Sequence, residues 1–153
     1  MQNDLEIKVC GMRDPGQIKQ LAEIAIDYIG LIFYASSPRF VDQVIDHTIF
    51  GDKKKVGVFV NSPIEHILYT QSKYQLDVIQ LHGHESPDMC TSIQNRGLEV
   101  IRAFSVDKNF DFSKVMEFDG YADRFIFDAR GDAPGGNGVR FDWNKLREYE
   151  GAT

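Results

Sequence analysis

A chain of 153 residues, 42% hydrophobic and 26% charged, has the make-up of one ordinary folded domain and is neither disordered nor collagen-like. Its 17 Lys and Arg against 23 Asp and Glu leave a formal net charge of -6, so no basic field is available to hold a nucleic-acid backbone. Two cysteines without metal-site spacing, a start without an apolar signal stretch and no apolar run near the roughly 18 residues of a membrane span point to the cytoplasm.

In chain order, short β-rich runs alternate with amphipathic stretches. A strand is predicted over Leu5–Cys10, and Asp14-Pro15 then opens a helix carrying Ile18, Leu21 and Ile24. The next strand is Tyr28–Phe33, followed by a weaker helix over Val41–Phe50. Lys55–Val60 is a third strand, after which Ser62-Pro63 precedes Ile64, Ile67 and Leu68. Asp77–Leu81 leads to Ser86-Pro87, Met89 and Ile93; Glu99–Phe104 to a short helix over Ser113–Phe118; Arg124–Asp128 to a last helix over Asp142–Tyr149. Each Asp-Pro or Ser-Pro pair puts an N-cap residue before a proline at the first helical position. Several strands are continuous apolar runs, as expected of parallel strands covered by helices.

Six βα units without a dividing linker, repeat or low-complexity segment form one domain over residues 1–153, built either as a doubly wound sheet or as a barrel. Cys10-Gly11-Met12-Arg13-Asp14 after the first strand lacks G-x-G-x-x-G, which favours the barrel. The expected fold is therefore α/β of the (β/α)8 TIM-barrel type. Strand starts recur about every 24 residues, so eight units need about 190, and only about six are present.

In parallel α/β folds catalytic groups sit at the C-terminal ends of strands. The first strand ends on the thiol of Cys10, although a lone cysteine is more often a small buried hydrophobe, which is the reading for Cys90. The second runs into Ser36-Ser37-Pro38-Arg39; Arg39 could clamp a carboxylate or phosphate, or be a solvated loop arginine. The fourth ends Gln80-Leu81-His82-Gly83, where His82 either polarises a substrate group or binds neighbouring strand ends. His84 and Glu85 belong to the turn that follows, and no third ligand argues for a metal. The sixth delivers Asp128; partial burial favours the protonated form a general acid needs, the plain alternative being a lysine partner or a loop cap. Beyond it Gly135, Gly136 and Gly138 allow backbone N–H groups to face phosphate oxygens, or make a flexible lid.

The order of these motifs is specific: Lys-Val-Cys-Gly-Met, Ser-Pro-Arg-Phe-Val, Val-Gly-Val-Phe-Val-Asn, Gln-Leu-His-Gly, and Gly-Gly-Asn-Gly with Phe-Asp-Trp. From about Ile7 to Trp143 the chain resembles phosphoribosylanthranilate isomerase. The resemblance implies an Amadori rearrangement of phosphoribosylanthranilate without metal or organic cofactor. It implies Cys10 as general base, Asp128 as general acid, Arg39 on the anthranilate carboxylate, and Gly136 and Gly138 under the ribose phosphate; it gives His82 no defined role. A thiolate near neutrality must overcome a free-thiol pKa of about 8.5. Lys8 shares the face of Cys10 without being placed at the mouth, so the sequence supplies no activating cation.

The resemblance also implies glycine-rich turns after a seventh and an eighth strand, whereas the sequence stops at Glu150-Gly151-Ala152-Thr153. A six-stranded sheet by itself would expose edges near Ile7–Val9 and Phe125–Phe127 and self-associate or be marginally stable. Beside the isomerase stand two other readings: a non-catalytic barrel remnant or phosphate-binding module, and a sugar-phosphate epimerase, which would require metal ligands at strand ends.

Overall fold

The computed structural model describes residues 5–129 and 142–149. Among these residues six strands, β1 (Lys8–Cys10), β2 (Tyr28–Ile32), β3 (Lys54–Phe59), β4 (Val78–Leu81), β5 (Glu99–Val106) and β6 (Arg124–Ala129), form one parallel sheet in the order of the chain. A doubly wound sheet reverses its order at a switch point. None occurs here, and successive crossovers of one hand place all helices on one face.

α1 (Pro15–Ala22) is capped by the Asp14 carboxylate, which accepts from the Gln17 N–H, with Pro15 at its start. α2 (Ile64–Tyr74) begins one residue later than the Ser-Pro signal predicts. Pro63 is still extended at its N-cap, because the turn off β3 runs through Asn61 in the left-handed region at φ 51°. α3 (Pro87–Gln94) follows the Ser86-Pro87 signal, and α4 (Ser113–Met116) is a single turn. Helix faces carrying Ile18, Ile67, Cys90, Ile93 and Val115 pack on Ile29, Leu31, Ile79, Leu81 and Val100 of the sheet. Full burial of one such isoleucine is worth about 1.5–3 kcal/mol.

Two predicted helices are not α-helical. Val41–Phe50 contains only a 3₁₀ turn at His47–Phe50. Val41 donates its N–H to Ile32 O and prolongs strand-like pairing, while the Asp46 carboxylate takes both the N–H and the hydroxyl of Thr48, a local bond that competes with helix. Asp142–Tyr149 is likewise a 3₁₀ segment, Trp143–Glu148, capped by Asp142. β1 is shorter than predicted, with Leu5 exposed ahead of it.

The sheet curls. Arg124 at the start of β6 reaches the carboxylate of Glu6, just before β1, at 3.2 Å, and also bonds the Tyr28 hydroxyl and Glu99. Lys54 joins Glu99 at 3.1 Å, giving a polar floor. Above it Val56, Val78, Ile101 and Ile126 make an interior layer against the Tyr28 ring. Next comes Lys8, donating to Gln80 Oε1 at 2.8 Å from the other side of the interior. Alternation along each strand then carries Cys10, Gly30, His82 and Asp128 to the interior face at the C-terminal end.

Candidate active site

Two glycines make room for the first functional groups. Gly30 is paired with Cys10 across β1 and β2, and a Cβ on Gly30 would lie 2.7 Å from Cys10 Sγ, so the thiol occupies the space a side chain would fill. Gly11, at φ +84°, turns the chain off β1, and the Arg39 side chain lies where a Cβ on it would sit. The guanidinium Nη1 donates toward Cys10 O at 3.5 Å, the outer limit of a hydrogen bond. Arg39 is therefore packed over the tip of β1.

On the other side of the mouth, His82 Nε2 lies 3.8 Å from Asp128 Oδ2, with the imidazole 9% exposed and the carboxylate 32%. That separation is too long for a hydrogen bond, and Nε2 is buried without a partner among the described residues. Burial pushes the His82 ring below its ordinary pKa, against the attraction of Asp128, and Arg102 and Lys8 push the same way as burial. The ring is thus neutral near pH 7 and places no cation beside Asp128.

Cys90 is fully buried on α3, as expected for a packing residue, and burial raises its thiol to about 11. Cys10 is only half-buried, and both cysteines are free. Alkylation at pH 8 followed by peptide mass analysis should modify Cys10 well before Cys90; equal labelling in the folded protein would contradict this arrangement.

The structure brings Cys10, Arg39, His82 and Asp128 to one rim. Gly135, Gly136 and Gly138 lie outside the described residues. Among the described residues no cluster of three His, Cys, Asp or Glu side chains could hold a metal, and no helix is long and apolar enough to cross a membrane. A cavity lined by Glu6, Tyr28, Asp52, Lys53 and Lys54 opens at the opposite, N-terminal end, the end that serves stability in barrels.

Sequence reasoning missed the support beneath His82. Arg102, on the helix-facing side of β5, and Glu85, in the turn after β4, are 6% exposed each and 3.4 Å apart. The guanidinium lies 4.9 Å from the Phe104 ring centre and 5.1 Å from that of Phe118. Burial lowers its pKa and Glu85 opposes that, but a guanidinium remains charged. The available signal was a cation inside the otherwise apolar run Val100–Phe104.

A parallel sheet curled as in a (β/α) barrel, with a thiol, an imidazole and a carboxylate gathered at its C-terminal rim, has the architecture of a barrel enzyme. Residues 7–152 match the family model described as N-(5'phosphoribosyl)anthranilate (PRA) isomerase. The chain is 47% identical over 152 residues to the N-(5'-phosphoribosyl)anthranilate isomerase of Parabacteroides distasonis, covering 96% of this chain and 69% of that protein. For the protein of that name from Phocaeicola vulgatus the identity is 37% over 147 residues, covering 96% and 71%. The crystal structure of phosphoribosyl anthranilate isomerase from Thermotoga maritima superposes with a TM-score of 0.75 at 26% identity, covering 95% of this chain and 74% of that one. The chain belongs to the phosphoribosylanthranilate isomerase family.

Proposed function

We propose that this chain carries out the reaction its family is named for, the Amadori rearrangement of N-(5'-phosphoribosyl)anthranilate to 1-(2-carboxyphenylamino)-1-deoxyribulose 5-phosphate in tryptophan biosynthesis. The observation that carries the reading is the pairing of the Cys10 thiol, seated against Gly30, with the Asp128 carboxyl beside His82 on one interior rim.

Asp128 protonates the furanose ring oxygen, the C1–O bond breaks, and the anilino nitrogen supplies the electrons that make the iminium. The iminium acidifies the C2 proton, which the Cys10 thiolate removes; the electron pair of the C–H bond neutralises the iminium and gives an enolamine, which tautomerises to the ketone.

Arg39, lying over β1, holds the anthranilate carboxylate by its planar fork. Gly135, Gly136 and Gly138 offer backbone N–H groups to the phosphate. Two free cysteines fit a reducing compartment, the cytoplasm.

Turnover of N-(5'-phosphoribosyl)anthranilate by the purified chain, with identification of the product, tests the reading. In an active protein Arg39→Ala is expected to raise KM by about 10–100-fold, the worth of a charge-assisted hydrogen bond, with a smaller effect on kcat. An unchanged KM would move the carboxylate site elsewhere, and the absence of both turnover and binding of a product analogue would remove the proposal.

A further inference from the structure

We propose that Arg102 and Glu85, on the side of the sheet away from the reaction, are positioning residues for His82. The inference rests on the catalytic reading above. Arg102 brackets His82 along the chain: its Nη1 donates to Leu81 O at 2.9 Å, the carbonyl just before His82, and its Nη2 to Gly83 O at 2.8 Å, the carbonyl just after. Nη1 is shared with Ala103 O at 2.9 Å.

Glu85 completes the frame. Its Oε2 accepts from Gly83 N at 2.8 Å and its Oε1 from Asn61 N at 2.7 Å, which ties the turn after β4 to the turn after β3. His84 N donates to Asn61 Oδ1 at 2.7 Å, and His82 N donates to Phe59 O at 2.9 Å. Three successive N–H groups and the carbonyls on both sides of His82 are thereby occupied. The peptide that carries His82 is held in place, with Nε2 standing 3.8 Å from Asp128.

A buried ion pair is weak evidence of stability gained, because desolvation offsets much of the attraction. Its use here is orientation. A misplacement of about 1 Å from a change distant from the chemistry can lower turnover by about a hundredfold. Four charged groups act on the His82 ring: Asp128 on β6, Arg102 on β5, Glu85 in its own turn and Lys8 on β1.

The test compares Arg102→Gln, Arg102→Lys, Glu85→Gln and the double variant Arg102→Gln with Glu85→Gln. The double variant leaves no unpaired buried charge, so it remains folded if either single variant does not. Circular dichroism establishes folding, and the His82 ring is followed by nitrogen-15 correlation spectra across pH. The expected result for the double variant is a kcat lower by about 10–100-fold with KM little changed, and His82 ring signals that are broadened or split. Arg102→Lys should recover part of the loss. Arg102→Gln should move the His82 titration upward and Glu85→Gln downward. A folded double variant with wild-type kcat and a single sharp His82 signal of unaltered tautomer and titration would overturn the proposal. The spectra decide the question independently of turnover. His82→Ala and Asp128→Asn without loss of kcat would instead sink the catalytic reading and leave the positioning result standing.

Discussion

Cys10→Ala and Asp128→Ala are each expected to lower turnover of the active protein by several orders of magnitude while the fold is kept. A positioned acid or base contributes about 10²–10⁴-fold, and here each proton transfer has one residue assigned to it. Asp128 is one-third exposed at a strand tip and Cys10 half-buried, so neither truncation opens a large void in the core. The measurement is kcat of each variant beside a thermal melt. Turnover near wild type in either variant, with an unchanged melt, would remove that residue from the proton-transfer scheme.

Gly30→Ala should produce the second-largest effect without touching a functional group. The new Cβ would stand 2.7 Å from Cys10 Sγ and 3.1 Å from Cys10 Cα, and the backbone contact leaves little room for relief. The thiol must swing out of its place, and displacement of a reacting group on this scale costs about a hundredfold in rate. Overpacking of this kind destabilises by about 1–3 kcal/mol, which a domain of ordinary stability survives. Kinetics and thermal unfolding on the same preparation separate the two effects. A Gly30→Ala protein with kcat within twofold of wild type would mean that the thiol does not act from the position seen here.

Much of the fold was legible because its signals are local. The apolar runs of β2 and β4 and the Asp14-Pro15 and Ser86-Pro87 starts each depend on residues within one turn or strand. The placement of the candidate site was legible in part for the same reason, since Cys10 ends its strand and Asp128 stands one residue from the end of its own, and that position directs a side chain to the mouth. What the sequence withheld depends on contacts between segments. The helix expected over Val41–Phe50 gives way to pairing with Ile32 and to the Asp46 cap. Lys8 is tied to Gln80, 72 residues away. Arg102 and Glu85 stand 17 residues apart, and neither a strand arginine nor a turn glutamate announces that its partner is a buried charge.

Every neighbouring pair of strands is also consecutive in the chain, so each pairing closes one short loop, and the entropy of closure grows only slowly with loop length. Contacts of this kind lower the contact order, the property that sets folding speed across small proteins. A βα unit can pair as soon as its predecessor is in place, without waiting for a distant segment. The floor bonds behave differently, because Arg124 and Glu6 are 118 residues apart and meet only when all the intervening units have formed. The ion pair beneath the interior therefore reports completion of the curl rather than its beginning.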